Sequence, residues 1–426
     1  MDQATSALLP FRGLRFDPGL PGGLAHTLGP PFDFDSSNEA RAFADGRAHC
    51  AVRLEIEDPV DGLSFWQSRA LLNEWQERGI LLREDHPAYY VYEQQFEHDG
   101  APLARRGVFG LVPLDAPGVD VMPHEETWEE IRQRRLRLLR NLDAAPSPVY
   151  LIYDGRDRSP AALLDEIATS QADACMTDSF GNRHRLWVVS DPASVERMRD
   201  LMRGQRYVIA DGHHRFAAAR DYHAQRGLPD TSRVLACCVE AHDPGIVIRP
   251  IHRLIRSRHA IDVTTAAGTL SEWFEIETSP VGARTGRELR GALTDGALPE
   301  AGVITNGGAT FLRLRLRDWS IAESLLPGEA CEPARRLDIT VVSELVLRRA
   351  LWVDPSATDA INYYDDAEDV LSLTRSAAGT GLLMRPIRLS QVFDVARSGG
   401  VVPAKSTSFV PKIPVGLVMQ VFRAEG

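Results

Sequence analysis

The sequence predicts an α/β fold of the mixed, α+β kind. Short apolar runs typical of buried strands alternate along the chain with segments whose apolar residues recur every three or four positions, as they do on one side of a helix. Clusters of glycine and proline mark the turns between them. The chain has 426 residues, of which 44% are apolar and 25% charged. This is an ordinary composition for a globular protein that is long enough for two domains.

The first 48 residues are rich in glycine and proline, and their segments GLPGG and GPPFDFD are expected to form ordered loops rather than helices. One of these loops contains the segment GPPFDFD, which begins at Gly29. Asp33 and Asp35 in this segment could face a magnesium ion, but exposed loop carboxylates are the favoured interpretation.

Up to residue 258, alternating apolar residues predict most of the strands, and apolar residues at helical spacing predict most of the helices. Leu71, Leu72 and Trp75, for example, face one side of a helix that Gly79 ends. Asp191 followed by Pro192 marks another helix start. We expect strands over residues 50–56, 88–96, 108–114, 148–154, 184–190, 207–210 and 233–240, and helices over residues 64–79, 161–172, 192–203 and 216–225.

The clearest helix covers residues 127–142, where Trp128, Ile131, Leu138 and Leu142 recur at helical spacing. Thr127 and Glu130 have the T-x-x-E spacing of a capping box, which predicts the helix start. The loop MPHEET lies immediately before this start and places a histidine and a glutamate where a ligand could meet them. Solvated charged residues are the alternative interpretation of that loop.

The character of the sequence changes after about residue 258. Residues 260–307 are rich in Thr, Ala, Gly and Glu and are expected to form peripheral helices and loops. A strand is expected over residues 310–316, helices over residues 337–351 and 366–376, and a terminal apolar strand after the loop KSTSFVPK.

The segment YVIADGHHRFAAARDYHAQRG, residues 207–227, predicts a strand, a tight polar turn and a helix. Such a turn directs backbone N–H groups and the positive end of a helix dipole at one point, which favours an anion. Arg215 adds a guanidinium suited to a phosphate oxygen. A purely structural Asp-Gly turn is the alternative.

The hexapeptide DGHHRF resembles the signature of a widespread prokaryotic family of domains of unknown function, which is distantly similar to the ParB/sulfiredoxin superfamily. Further matching segments occur in the family's order: Pro10-Phe11-Arg12, GPPFDFD, VRLE, YVYEQQF, MPHEET, SPVYLIYD, PIHRL and KSTSFVPK. The resemblance implies a ParB/sulfiredoxin-like core with N-terminal elaboration over residues 1–258. It also implies a C-terminal α/β region, residues 259–426, that packs back on the core.

The same resemblance implies where the site residues lie. In that superfamily, which includes partition proteins, sulfiredoxin and free-serine kinases, the equivalent turn ends in arginine and holds nucleotide phosphates. Arg135 matches the arginine of an Asp-Arg pair that the family carries, but the partner position here is Arg134, which puts in doubt any role of the missing carboxylate. The further candidates are His124 and Glu125 in the loop, His252 and Arg253 for substrate, and Lys405, Ser406, Thr407 and Lys412 for nucleotide phosphates.

The leading hypothesis is phosphotransfer from ATP or ADP with Mg²⁺ to a small hydroxylated metabolite, with free serine as the first candidate. Phosphoryl transfer needs mainly positioning and charge stabilisation. In this hypothesis the phosphates are held by Gly212, His213, His214 and Arg215, Asp211 holds magnesium, and Glu125 is the base with His124 as its orienter. One alternative is a metal-dependent hydrolase whose zinc or manganese ligands come from His124, Glu125, His213, His214 and His252. The other is a nucleotide-switched binding protein of the ParB type.

Composition and motifs also bear on other kinds of protein: nucleic-acid binders, metal-binding proteins, membrane proteins and P-loop proteins. A formal net charge of −11 makes a general nucleic-acid binder unlikely. The five cysteines show no metal-ligand spacing, so reduced thiols in the cytoplasm are expected, and no segment is long and apolar enough for a membrane span. A P-loop signature is absent from the sequence. The expected partners are a small substrate and a nucleotide, and a homodimer is compatible with the ParB-like alternative.

Overall fold

A computed structural model describes residues 7–20, 23–34, 36–57, 65–155, 159–256, 263–294, 296–326, 328, 330–355, 360–377 and 379–422. Within these residues helices and strands are interspersed, which confirms the α/β class. The chain divides into two compact units. The first unit comprises Met1–Met122, Thr127–Val247 and Phe409–Gly426, and the second comprises Pro123–Glu126 and Ile248–Ser408. The division expected at residue 258 stays a prediction.

The first unit contains most of the elements expected before residue 258. Its strands are β1 (Leu14–Phe16), β2 (Leu81–Arg83), β3 (Tyr89–His98), β4 (Ala101–Pro113), β5 (Asp120–Met122), β6 (Ala144–Ala145), β7 (Val149–Tyr153), β8 (Ala174–Thr177), β9 (Arg183–Val189), β10 (Arg206–Asp211) and β11 (Arg233–Glu240). Its helices are α1 (Ser37–Ala44), α2 (Trp66–Glu77), α3 (Glu129–Leu142), α4 (Ala161–Ala168), α5 (Pro192–Leu201) and α6 (His213–Arg226).

The core of the first unit is an eight-stranded mixed sheet in the order β5-β10-β7-β11-β4-β3-β9-β8. Strand β10 runs parallel to β5 and antiparallel to β7, and β11 runs parallel to β7. All five residues of β7 are buried, as its unbroken apolar sequence predicts for a central strand. Helices α3 and α6 pack against each other. The sheet therefore fixes the end of β10, from which the polar turn projects.

Three expectations for the first unit are wrong in detail. Residues 51–55 form a 3₁₀ helix instead of a strand, because the Arg53 guanidinium donates to the carbonyls of Ala44 and Arg47 and stabilises a turn there. The capping box at Thr127 does not form: α3 begins at Glu129, and its N-cap Trp128 has no side-chain cap. Helix α6 begins at His213 instead of residue 216, because the Phe216 N–H already bonds to the Gly212 carbonyl at 2.9 Å.

Beyond the crossing strand β12 (Val247–Pro250), the second unit contains strands β13 (His252–Ile255), β14 (Phe274–Pro280), β15 (Glu300–Thr305), β16 (Thr310–Leu316), β17 (Ile361–Tyr364) and β18 (Thr380–Leu383). They form a six-stranded sheet in the order β14-β16-β15-β18-β13-β17. The helices are α7 (Val263–Trp273), α8 (Gly286–Gly291), α9 (Trp319–Leu325), α10 (Glu332–Arg335), α11 (Asp338–Val341) continued by a π-helix (Val342–Ala350), α12 (Ala367–Ala377) and α13 (Leu389–Arg397). The chain ends with β19 (Thr407–Val410) and β20 (Gln420–Val421).

The expectation that residues 260–307 form only peripheral helices and loops is wrong, because β14 and β15 belong to this sheet. Strand β14 lies at the sheet edge, where Glu275 faces Arg315 and Glu277 faces Arg313 across the antiparallel pair with β16. Because these positions are charged, the composition of the segment did not indicate a strand. Cross-strand pairs of opposite charge nevertheless stabilise a solvated sheet face.

Candidate functional site

The polar turn after β10 is set by one glycine. Gly212 is the N-cap of α6 and has φ of 96°, in the left-handed region that other residues seldom adopt. A Cβ atom there would lie 2.8 Å from Arg215 Nε. Within the described chain no side chain caps this end of α6. The positive end of the helix dipole is therefore directed at the turn.

Three charged side chains meet beside this turn. One carboxylate oxygen of Asp211 accepts from Lys412 Nζ at 2.9 Å, and the other accepts from Arg215. Lys412 Nζ also lies 3.5 Å from the carboxylate of Asp33. Burial alone would raise the pKa of Asp211, but Lys412 and Arg215 outweigh it and hold that pKa well below its usual range. The same carboxylates hold the pKa of Lys412 above its ordinary value despite burial.

Arg135 belongs to the same region. Its guanidinium donates to Glu55 at 2.8 Å, and Ser147 donates to the other Glu55 oxygen. Burial would raise the pKa of Glu55, yet Arg135 and these hydrogen bonds lower it. Glu55, Arg135, Ser147 and Arg215 line one cavity of the first unit. The structure thus brings Arg135 and Arg215 to the same cavity, and their role in phosphate binding stays a prediction.

The two histidines of the turn lie in the first turn of α6. His213 is buried. His214 Nε2 accepts from the Trp128 backbone N–H at 2.9 Å, so its side chain supplies a hydrogen-bond acceptor at the N-cap residue of α3. Arg134, at the departure from the family pattern, donates to the Glu55 carbonyl and lies 3.3 Å from Glu57. It therefore holds the segment that carries Glu55.

The second unit gathers another group of the expected residues. Glu125 Oε1 accepts from the backbone N–H of Thr407 at 2.7 Å, from its hydroxyl at 2.6 Å and from the Ser406 N–H at 3.2 Å. Buried His124 contacts the Thr407 hydroxyl at 2.9 Å through Nε2. His124, Glu125, Ser406 and Thr407 therefore form one hydrogen-bonded cluster. Lys405 is next to it in the chain, with φ of 62°.

His252 and Arg253 lie at the start of β13, and both are buried. His252 Nδ1 accepts from the Met384 N–H at 3.0 Å, so it needs the neutral ring. Burial, reinforced by Arg253 and Arg290 and opposed by Asp366, lowers the pKa of His252 to about 3. Arg253 donates to the carbonyls of Ile251 and, at 3.1 Å, Lys405.

This buried histidine predicts a loss of stability in mild acid. The folded-state pKa of His252 lies below the unfolded value of about 6.5, so between these values only the unfolded chain takes up the proton. Stability is full above about pH 6.5 and falls as the pH falls. Moving from pH 7 to pH 5 should cost about 2 kcal/mol of unfolding free energy through this residue.

Urea unfolding at both pH values measures this loss. His252→Asn keeps an acceptor for Met384 and should make the pH dependence shallower by about 2 kcal/mol, whereas exposed His86→Asn should leave it as in the parent. Equal pH dependence in parent and His252→Asn would contradict the assignment.

Two features of the site were missed in the sequence. Glu55 was placed on a strand and given no role, because its partner Arg135 lies 80 residues away. The second feature is the ion pair between Asp211 and Lys412, two residues that were candidates separately, and the composition held a signal for it. The chain has 48 lysines and arginines together, and its only two lysines are Lys405 and Lys412. A chain that otherwise uses arginine throughout keeps an ammonium at these two positions, and Lys412 is the cation that Asp211 contacts.

The metal prediction finds limited support in this geometry. Among the residues that the structure describes, no group of three or more His, Cys, Asp or Glu side chains is placed to hold a metal ion. Both oxygens of Asp211 are engaged by cations, so this carboxylate does not fit a direct Mg²⁺ ligand in this arrangement. Asp35 lies outside the described residues. No described helix is long and apolar enough to cross a bilayer.

Comparison with protein families matches residues 8–340 to a family described as protein of unknown function (DUF1015). A search of curated proteins found no match. Three similar solved structures are each 13% identical to this chain. A conserved hypothetical protein from Pyrococcus furiosus has a TM-score of 0.37, with 74% of this chain and 95% of that chain covered, and a mutant free serine kinase in complex with ADP has a TM-score of 0.39, with 72% and 92% covered. C-terminally truncated SbnI from Staphylococcus aureus has a TM-score of 0.35, with 71% of this chain and 82% of that chain covered. Likeness at this level carries no argument about function.

Proposed function

Because this chain belongs to the DUF1015 family of proteins of unknown function, we propose its activity from the site itself: phosphotransfer from a nucleotide to a small hydroxylated metabolite, with free serine as the first acceptor to test. The observation that carries the proposal is the glycine turn at the start of α6, flanked by Arg215, Lys412 and Arg135. A helix N-terminus lined by cations is suited to phosphate.

The phosphate groups would lie against the turn. Gly212 lets the Arg215 guanidinium lie against the backbone of the turn, since a Cβ there would be 2.8 Å from Arg215 Nε. Arg215 and Lys412 are already positioned by Asp211, and Arg135 by Glu55, so little side-chain entropy is lost when an anion binds. The carboxylates that these cations contact reduce the electrostatic repulsion among the cations in the free protein.

A nucleobase has a candidate platform in the first unit. Phe32 and Phe180 are 46% and 48% exposed, and their rings lie 5.2 Å apart. Phe32 precedes Asp33, whose carboxylate lies 3.5 Å from Lys412. Exposed aromatic rings are favourable stacking surfaces for a base, and these connect through one residue to the cation that contacts Asp211. This favours a nucleotide over inorganic phosphate as the ligand.

In this proposal the nucleotide is ATP or ADP. Magnesium, when present, would enter on the nucleotide phosphates, since Mg²⁺ commonly binds through substrate phosphates and keeps several of its waters. Asp211 then acts as the anchor of Arg215 and Lys412. His124 and Glu125 keep their proposed role at the acceptor hydroxyl.

Phosphorus NMR of the purified protein tests the reaction. The sample contains ATP, ADP and Mg²⁺ with pooled serine, threonine, homoserine and small hydroxy acids. A new phosphomonoester signal that requires both nucleotide and acceptor supports the proposal, and leaving out acceptors one at a time identifies the substrate. Conversion of nucleotide to free phosphate alone would favour a hydrolase or a nucleotide switch. An unchanged spectrum would contradict phosphotransfer.

The turn is tested by Arg215→Ala, which should weaken binding of ATP or ADP about 30-fold because one charge-assisted phosphate contact is lost. Asp211 keeps Lys412 as its partner, so the variant should fold. Arg220→Ala is the matched control on the same helix, since Arg220 is 59% exposed and lies 3.8 Å from Asp115. Equal nucleotide affinity in calorimetry for Arg215→Ala and the parent would show that the turn does not bind phosphate.

A further inference from the structure

A second cavity lies wholly in the second unit, and its charged lining is strongly cationic. The charged side chains that line it are Arg253, Arg336, Arg385 and Arg388, with Asp338 as the one carboxylate among them. Arg385 engages both oxygens of Asp338 at 2.6 Å. That carboxylate is therefore already neutralised. Arg336 pairs with Glu332 at 2.9 Å, so Arg253 and Arg388 supply the excess positive charge of the cavity.

Arg253 is the unusual member of this lining. Its side chain is 3% exposed, and within the described chain no Asp or Glu oxygen lies within 4.0 Å of its guanidinium. Its hydrogen bonds go to the neutral carbonyls of Ile251 and Lys405. The ring of Tyr363 lies 5.5 Å from its central carbon, and Glu125 acts on it at longer range. Neighbouring His252 is neutral and supplies no counter-charge.

A buried charge without an ionic partner is costly for a protein to maintain. Burial accordingly lowers the pKa of Arg253 to about 10. Arg388, by contrast, is exposed, so an anion could reach it from solvent. Ser406 lines the same cavity and adds a hydroxyl. An arginine fork is well matched to the paired oxygens of a carboxylate or a phosphate.

We propose that this cavity binds the oxyanion group of a small acidic metabolite, a carboxylate or a phosphate, with Arg253 at its base and Arg388 at its mouth. The proposal goes beyond the nucleotide site, because every residue that carries it lies in the second unit. The ligand supplies the counter-charge that the described residues do not give Arg253.

Titration calorimetry of the full chain tests the proposal, with sodium phosphate and sodium succinate as probes and ionic strength held constant with sodium chloride. Saturable binding of at least one probe is expected. Arg253→Gln and Arg388→Gln should each weaken it at least about tenfold, as expected for a lost charge-assisted contact. Binding of phosphate alone identifies a phosphorylated ligand, and binding of succinate alone identifies a carboxylate.

Two controls assign the signal to this cavity. Arg315→Gln removes one charge from the exposed face of β16, where Arg315 pairs with Glu275, and should bind the probes as the parent does. Arg220→Ala, the exposed control on α6 of the first unit, should also leave the binding unchanged. If Arg253→Gln does not fold, the binding measured for Arg388→Gln decides the test. No saturable binding, equal binding in the Arg388 and Arg253 variants and the parent, or loss of binding in Arg220→Ala would each overturn the proposal.

Discussion

Replacing Glu125 with glutamine should slow phosphotransfer about 1,000-fold while leaving the affinity for ATP or ADP within about twofold of the parent. The carboxylate is the proposed base for the acceptor hydroxyl. Its Oε1 is fixed by Ser406 and Thr407. Oε2 has no hydrogen bond to the described residues, so it is the oxygen that would accept the proton. Glutamine has nearly the same shape and keeps an oxygen for the three donors, but it cannot act as a base.

Rate and affinity must be measured on the same preparation. Glu126→Gln is the matched control, because Glu126 is the exposed neighbour in the same loop. Its turnover should equal that of the parent. Unchanged turnover in Glu125→Gln would remove Glu125 as the base. A large loss of thermal stability in Glu125→Gln would instead assign the carboxylate to holding residues 406 and 407.

Replacing Lys412 with methionine should lower the free energy of unfolding by about 3 kcal/mol. The ammonium contacts Asp211 at 2.9 Å and lies 3.5 Å from Asp33, and its side chain is 12% exposed. Methionine fills a similar volume but leaves Asp211 with Arg215 alone and removes the cation nearest to Asp33. Removing one partner of a largely buried ion pair leaves charge that water cannot solvate fully, which is why the expected cost is large.

Urea unfolding at pH 7 measures this cost, and its pH dependence identifies the cause. The pKa of Asp211 is depressed in the folded state, so its ion pairs stabilise the protein above the unfolded pKa of about 3.9 and are lost as the pH falls. The difference between parent and Lys412→Met should therefore narrow below about pH 4. Lys405→Met, at the only other lysine, should change stability by less than about 0.5 kcal/mol. A similar effect of both substitutions would contradict the role given to Lys412.

Local sequence signals predicted the elements that support the site. The strand expected over residues 207–210, the turn at Gly212, the helix after it and its end at Gly227 all follow from apolar runs and glycine positions. The strand over residues 233–240 and the helix start at Asp191 were likewise confirmed. These features depend on neighbours in the sequence, so pattern and propensity suffice.

Features that depend on distant partners were not predictable in the same way. Thr127 has the spacing of a cap, but the Trp128 N–H bonds to His214, which lies 86 residues away in the chain. The contact between Asp211 and Lys412 spans 201 residues. Family resemblance suggested both residues for the site, but only the folded chain shows that they neutralise each other. Tertiary contacts override local preference at such positions.

The scarcity of lysine gives this protein an unusual chemical property: its side-chain amines are confined to residues 405–412. Each structural unit has one of them, Lys405 in the second and Lys412 in the first. Reductive methylation with ¹³C-formaldehyde would therefore place one isotopic label on a side chain of each unit. Lys412, held between two carboxylates, should react slowly, and partly exposed Lys405 quickly. The two resonances would then follow ligand binding in the two units separately, without any engineered tag.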